Sequence, residues 1–576
     1  MDAARCAPPT NALIFRSTAL LLFVSCALLA FALPQQDSQG LAAAQKLSAE
    51  ERWQDVISLV DHTPQPSPDL QYYYGLSLAH LERWNDAQKV FLSARRAQPG
   101  DKRFPIELAG IAFREKKYPE AAAYLHAALR LDPKDTYAND FLATVYFLEG
   151  NLEAALKYWN GLNDPKPRVE QVRLPEKLRV NPVLLDHALA FSPASTLLRQ
   201  ELLTTEARLN TLGIFPSYRL DLLARENEKF DLEFQAQERN GWGNSTLEAL
   251  LGTFRGLPFQ EVSPEYFNIR GSGTNFVSLL RWDAQKRRVT ASLSGPFLRN
   301  PQWKYSLSVD GRDENWEIRK SFTGVAPPLA ALNVRRADLE AEITRLVGWR
   351  WSWSAGVQLS RRDYRDVTAG SALSPNLLAS GYELAELMRL NYVLWRVPER
   401  RLTLDSELSS QAARLWSTPA ESFWKTRGSL NLRWLPRSRG DDYATRWGLQ
   451  AGNITGQFPF DELFMLGLER DNDLWLRAHI GTHDGRKGSA PQGRRYFLSN
   501  WETDKNIYGN GIIKVKLGPF LDTGKIGGAT SALASEKWLW DTGAQAKVFV
   551  FGVGVSFIYG KDLRSGNNAF YTTVGR

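Results

Sequence analysis

Apolar and polar positions along the chain fall into four regimes. Ser17 to Leu33 is almost wholly apolar, with Arg16 before it and the polar run Pro34 to Gly40 after it. In residues 41–167 apolar side chains recur three and four apart, as in Trp84, Ala87, Phe91 and Ala94, the spacing of one helix face. Residues 168–239 mix a helical stretch with two runs that alternate at period two, Tyr218 to Leu222 and Phe230 to Gln235. From residue 240 to 576 helical spacing gives way to alternation. Trp351, Trp353, Ala355, Val357 and Leu359 interleave with Ser352, Ser354, Gly356, Gln358 and Ser360, and Phe549 to Tyr559 reads as one such run. Leu402 to Leu408 and Tyr305 to Asp310 repeat the pattern.

The leader has a positive flank, a short apolar core and the small-x-small triplet Ala30-Phe31-Ala32, which predicts a secretory signal peptide, residues 1–32, cleaved after Ala32. Acylation at Cys26 is the weaker alternative, because the apolar stretch continues past that cysteine. The only two cysteines, Cys6 and Cys26, lie in this leader, so disulfide scaffolds and thiolate-held metal centres are excluded. No later apolar run reaches the ~20 residues of a membrane-spanning helix.

Residues 41–167 carry an internal period of 34. Ala87, Ala121 and Ala155 keep that step, as do Pro99, Pro133 and Pro167, Phe91, Leu125 and Trp159, and the small residues Gly75, Ala109 and Ala143. The segment resembles three tetratricopeptide repeats, with a degenerate half-repeat near Trp53 as the cap. Such stacks imply docking of peptides or of periplasmic and envelope proteins on a concave face. After the stiff Asp164-Pro165-Lys166-Pro167 linker, Ser195 is expected to cap a helix bearing Leu198, Leu202, Leu209 and Leu212, which Gly213 ends. With Val169 to Leu174 as a strand, the order is strand, helices, strand, strand. Leu212-Gly213-Ile214-Phe215 within Thr205 to Leu223 resembles the helix-to-strand turn of a POTRA (polypeptide-transport-associated) domain, here residues 168–239.

In residues 240–576, alternation alone does not separate a soluble sandwich from a membrane barrel. Segments of about ten residues, and sixteen of the nineteen tryptophans in this part, favour a transmembrane antiparallel barrel with aromatic girdles. At about 21 residues per strand and loop, the length predicts about 16 strands. The fold class is thus multidomain: an α-helical repeat solenoid, a small α/β module and a C-terminal β-barrel.

Gly518 to Lys525 contains Phe520-Leu521-Asp522-Thr523-Gly524, and it resembles the strand motif of the BamA/TamA/FhaC superfamily of outer-membrane assembly and secretion barrels. Leu476-Arg477-Ala478-His479 stands where that superfamily carries its inward-folded loop motif, with Ala478 and His479 replacing a glycine and an aromatic. The resemblance implies that Arg477 packs against Asp522 inside the barrel, a buried guanidinium with its carboxylate. Phe551 to Arg576 also resembles the final two strands. The implied location is the bacterial outer membrane, with the N-terminal domains in the periplasm. The implied clients are unfolded outer-membrane or secreted proteins, received by strand addition to an exposed edge of the α/β module. Lateral insertion would open a seam between Gly243–Gly252 and Asn568–Val574.

The remaining chemistry is sparse. The formal charge of +8 over 576 residues is modest and spread, so no nucleic acid is expected. No phosphate loop, metalloprotease helix or serine elbow is found, so neither an enzyme nor a cofactor is expected. His479 and His483 lie beside Asp484 in a glycine-rich loop, where their spacing does not predict a metal. Asp310, Asp313, Glu314, Asp405 and Glu407 are expected to face the lumen. The alternative functions are a polysaccharide-export porin, or a passive pore or envelope scaffold whose repeats dock partner proteins.

Overall fold

The computed structural model describes residues 33–576 except 227–228, 244, 320–327, 369–372, 418–419, 437–441, 511, 529–532, 535–536, 551–552 and 576. The expected signal peptide lies outside the described residues. Two compact units result: one runs to Glu149 and includes Gly161–Asn163, and the other comprises Gly150–Asn160 and Asp164–Arg576.

The first unit is a run of antiparallel helices: α1 (Leu33–Ala49), α2 (Trp53–Asp61), α3 (Pro68–His80), α4 (Trp84–Ala97), α5 (Arg103–Arg114), α6 (Tyr118–Leu131) and α7 (Thr136–Leu148). Its period has a packing cause. Ala87 and Ala121 are fully buried, and a β-carbon on Gly75 would lie 2.5 Å from the Phe91 ring, so only small residues let paired helices touch. Ser67 and Asp135 cap α3 and α7 by accepting the N–H groups of Leu70 and Ala138. The cap at the start is a full helix pair, with Val56 and Val60 of α2 packed on Ala44 of α1 and Leu70 of α3.

The second unit opens with α8 (Leu152–Trp159) and a small mixed sheet: β1 (Arg168–Arg173), α9 (Pro182–Ala188), β2 (Ser195–Thr196), α10 (Arg199–Leu212), β3 (Ser217–Ala224) and β4 (Lys229–Gln237). The strand order is β2-β1-β4-β3, with β1 parallel and β3 antiparallel to β4, which leaves β3 at an edge. Leu209 and Leu212 of α10 pack with Leu184, Phe215 and Phe234 beneath the sheet. Gly213 ends α10 at φ +68°, a left-handed cap that a side chain would strain. Ser195 does not cap this helix. It pairs with Val169 in β2, and Glu201 instead accepts the Leu198 N–H at 3.0 Å.

The barrel begins with α11 (Thr246–Phe254) and the short strands β5 (Glu261–Val262) and β6 (Glu265–Tyr266). The long strands follow: β7 (Asn275–Trp282), β8 (Lys286–Phe297), β9 (Asn300–Ile318), β10 (Ala330–Val347), β11 (Trp351–Thr368), β12 (Gly381–Val397), β13 (Leu402–Trp416), β14 (Glu421–Trp434) and β15 (Tyr443–Gly456). A long loop then holds β16 (Phe464–Met465), β17 (Thr482–His483), β18 (Arg486–Lys487) and β19 (Gln492–Gly493). After it come β20 (Arg495–Gly509), β21 (Ile513–Gly527), β22 (Leu539–Val550), β23 (Val553–Asp562) and β24 (Asn568–Gly575). The order closes into a barrel from β24 back to β5, with fourteen strands of eight residues or more among the described residues.

The burial pattern is inverted relative to a soluble sandwich. Val309, Leu339, Leu359 and Leu384 lie in one cross-strand row on β9 to β12, each more than 40% exposed. The adjacent row, Asp338, Ser360 and Glu383, is buried. Apolar outside and polar inside is the arrangement of a barrel whose outer face meets lipid. Exposed tryptophans stand at or near strand ends, among them Trp282, Trp351, Trp416 and Trp434.

Three local expectations are corrected. Gly243–Gly252 is not a first strand: Ser245 accepts the Glu248 N–H at 3.1 Å and starts α11, because Ser245-Thr246-Leu247-Glu248 is a helix-starting S-x-x-E sequence. The run Phe549 to Tyr559 divides between β22 and β23, with Val550 paired to Val553, and its residues 551–552 lie outside the described residues. In this register Phe549 shares a face with Gly554 and not with Phe557. Asp310 and Glu314 do face the lumen, but Asp313 has the opposite parity and meets Arg335 at 3.0 Å on the other face.

Candidate functional site

The loop of residues 457–494 contacts inward-facing side chains of strands on opposite sides of the barrel, so it lies within the lumen. Three charged stations hold it. At the first, Asp461 and Glu462 meet Arg336 of β10 at 2.9 and 2.7 Å and Arg362 of β11 at 2.9 and 3.1 Å. Lys425 of β14 reaches Glu462 at 3.0 Å, and Arg362, itself buried, also meets Glu383 at 2.7 Å. At the second, Asp471 takes Arg281 of β7 at 2.7 Å and Arg288 of β8 at 2.6 Å, while Glu469 takes Lys286 at 2.9 Å.

The third station is the loop tip, where the loop supplies the cation. Arg477 donates from Nε and Nη2 to the two oxygens of Asp522 on β21, at 2.8 and 2.6 Å. Its backbone N–H reaches the same carboxylate at 3.1 Å, and Nη1 donates to Glu502 of β20 at 2.8 Å and to Gln545 of β22 at 3.2 Å. Asn500 adds a further donor to Asp522 at 2.8 Å. The guanidinium carbon lies 3.9 Å from the centroid of the Phe520 ring, which is buried beneath it. Arg477 is 4% exposed and Asp522 0%, so the pair is sealed from bulk water. In such surroundings a bidentate arginine–carboxylate pair depends on full satisfaction of both partners, which these contacts supply.

The neighbours of Arg477 fit the wall closely. Leu476 is fully buried in a cluster with Leu466, Leu474, Leu498 and Ile526. The Ala478 N–H donates to Asp541 of β22 at 2.7 Å, and Nδ1 of His479 lies 3.0 Å from the same oxygen. A β-carbon on Gly560 of β23 would sit 2.7 Å from the Arg477 carbonyl oxygen, so the wall is hollowed where the tip rests. Gly524 plays the same part lower down, where a β-carbon would meet Leu466 at 3.0 Å.

Arg477, Asp522, Phe520, Leu476, Ala478 and His479 are thus brought together at one place, and Gly524 accommodates the loop nearby. His483 is apart from His479: it stands in β17 beside Asp484 at 3.2 Å. Sequence reasoning missed Glu502, Gln545 and Asn500, and it missed the first two stations entirely. A signal for the latter existed in the acid-rich loop segments Asp461-Glu462 and Glu469 to Asp473 set against arginines at inward parity on β7 to β11.

The α/β module and α8 meet one end of the barrel. Asn151 donates to the Pro398 carbonyl at 2.9 Å, Arg396 bonds Glu153 at 2.7 Å, and Asn275 donates to the Leu212 carbonyl at 2.8 Å.

Residues 112–173 match a family model described as tetratricopeptide repeat. No curated protein matches the sequence. Among solved structures, CdiB from Escherichia coli is similar at TM-score 0.47 and 12% identity, over 71% of this chain and 76% of that one. CdiB from Acinetobacter baumannii is similar at 0.41 and 10%, over 71% and 73%. The crystal structure of BamA from Haemophilus ducreyi lacking POTRA domains 1–3 is similar at 0.41 and 12%, over 72% of this chain and 85% of that one.

Proposed function

We propose that this protein is an outer-membrane barrel that receives unfolded polypeptides at its periplasmic N-terminal domains and inserts them into the membrane or passes them across it. The observation that carries the reading is the Arg477–Asp522 grip at the tip of a loop folded into the lumen, at the positions where the sequence resembles the assembly and secretion barrels. A loop held by three ion-paired stations, with Leu466, Leu468, Leu474 and Leu476 all buried, occupies part of the lumen. An export porin for polysaccharide needs a wet, continuous channel, and a loop tied into the lumen by buried ion pairs stands against that reading. Strand addition to β3, at the edge of its sheet, would receive extended chains, and the repeat unit would dock envelope partners. No nucleotide site is needed, because folding of the client supplies the driving free energy.

Reconstitution tests this. Full-length protein in liposomes is given urea-unfolded barrel clients and urea-unfolded secreted clients, and protease-protected product is measured. Insertion or translocation above empty liposomes supports the reading. Product equal to that of empty liposomes for both client classes contradicts it.

A further inference from the structure

One row of side chains beside the loop tip is not explained by the Arg477 grip. Cross-strand register sets Asp522 of β21 opposite Asp541 of β22, and Asp541 opposite Asp562 of β23. All three are buried, at 0, 0 and 3% exposure. Like charges side by side on neighbouring strands repel, and inside a protein they demand compensation. Asp522 has Arg477 and Asn500. Asp541 has no arginine or lysine partner among the described residues: one oxygen accepts from the Ala478 N–H and faces His479, and the other, Oδ1, has no hydrogen-bond partner although fully buried. Asp562 accepts from the Arg564 N–H at 2.9 Å and the Ser565 hydroxyl at 2.5 Å, and its Oδ2 lies 3.9 Å from His479 Nε2. Two buried carboxylates therefore share a single imidazole.

We propose that His479, Asp541 and Asp562 form a divalent-cation site that fastens the loop tip to β22 and β23. One donor atom from each residue lies within 4.8 Å of the other two. Metal–ligand bonds of about 2.0–2.2 Å put donors roughly 3.3 Å apart in a tetrahedral shell, so the imidazole and both carboxylates would draw inward from their present spacing to close on a cation. The loop supplies the nitrogen and the wall supplies both oxygens, so a bound cation would tie the two together two residues beyond Arg477. One imidazole with two carboxylates suits Zn2+ or Mn2+, whereas all-oxygen cages suit Mg2+ and Ca2+ and thiolates suit Cu(I). The unpartnered Asp541 oxygen is the group that such a cation would satisfy. This inference concerns the resting protein and does not depend on which client, if any, the barrel handles.

The test uses full-length protein in detergent, stripped with chelator and titrated with Zn2+ and Mn2+, with bound metal measured after gel filtration. About one equivalent is expected for the wild type, and His479→Ala and Asp541→Asn should each weaken binding by about tenfold or more. Asp484→Asn, in the same loop and 84% exposed, should bind as the wild type does. A second measurement needs no variant: Zn2+ should protect His479 of the wild type from diethylpyrocarbonate, read by mass spectrometry. Absence of stoichiometric metal, retention unchanged in His479→Ala and Asp541→Asn, or modification of His479 unaffected by Zn2+ would each overturn the proposal.

Discussion

Arg477 holds both oxygens of Asp522, from Nε at 2.8 Å and from Nη2 at 2.6 Å, across 45 residues of sequence. Removing one partner strands the other charge in a dry site. Arg477→Ala and Asp522→Ala are each expected to cost about 3–5 kcal/mol at the loop tip. The protein should still reach the membrane, with its strands intact and the loop newly open to protease. Limited proteolysis of membrane fractions checks this: new cleavage within residues 457–494 is the expected outcome. Arg477→Lys should be intermediate, since an ammonium cannot form the two parallel bonds.

The fit of the tip gives a steric prediction. A side chain on Gly560 would intrude 2.7 Å from the Arg477 carbonyl oxygen, so Gly560→Val should unseat the loop and reproduce the protease pattern of Arg477→Ala. Gly311 has only one neighbour, at 3.9 Å, and Gly311→Ala should leave the loop protected.

At the first station, Glu462 and Lys425 are 3.0 Å apart in a network with Arg336 and Arg362. Glu462→Gln and Lys425→Met should be non-additive, with a coupling of about 0.5–3 kcal/mol by double-mutant cycle on urea unfolding of the reconstituted barrel. Additive effects would mean the station does not act as a unit.

How much of this was legible in the sequence depends on the range of the cause. The 34-residue period was readable because the packing demand at Gly75, Ala87 and Ala121 recurs locally in every repeat. The barrel was readable because facing alternates residue by residue. The start of the barrel was misread where Ser245 and Glu248 form a helix start inside an apolar run, and Phe549 was misplaced because the change from β22 to β23 shifts the facing while the alternation in sequence runs on. The lumen stations were legible only as composition, acid-rich loop segments and inward arginines with nothing to pair them. Lys286 and Glu469 are separated by 183 residues, and no local pattern announces that they will meet. Arg477 and Asp522 are as distant in kind, yet a family resemblance pointed to them.

The helical unit offers a pH test. Burial pushes the Glu107 carboxyl above its usual range, partly opposed by the hydrogen bond from the Tyr72 hydroxyl at 3.0 Å. The folded state therefore holds that proton more tightly than the unfolded chain. The associated stability is present at low pH and is lost as pH rises from the ordinary glutamate range through the raised value. Glu107→Gln keeps an acceptor for Tyr72 and removes this slope, so it should stabilise α3 to α5 at neutral pH. Hydrogen exchange of those helices in the full-length protein, at acidic and neutral pH, should show slower exchange in the variant at neutral pH only.

The central claim is that the barrel handles polypeptides and that the Arg477 latch matters to it. Depleting the protein in its own bacterium, and complementing with wild type or Arg477→Ala, tests both parts at once through quantitative proteomes of the outer membrane and the culture medium. The account predicts that barrel proteins fall together in the membrane, or that a secreted protein disappears from the medium, and that only the wild type restores them. Unchanged proteomes on depletion, or full restoration by Arg477→Ala, would contradict it.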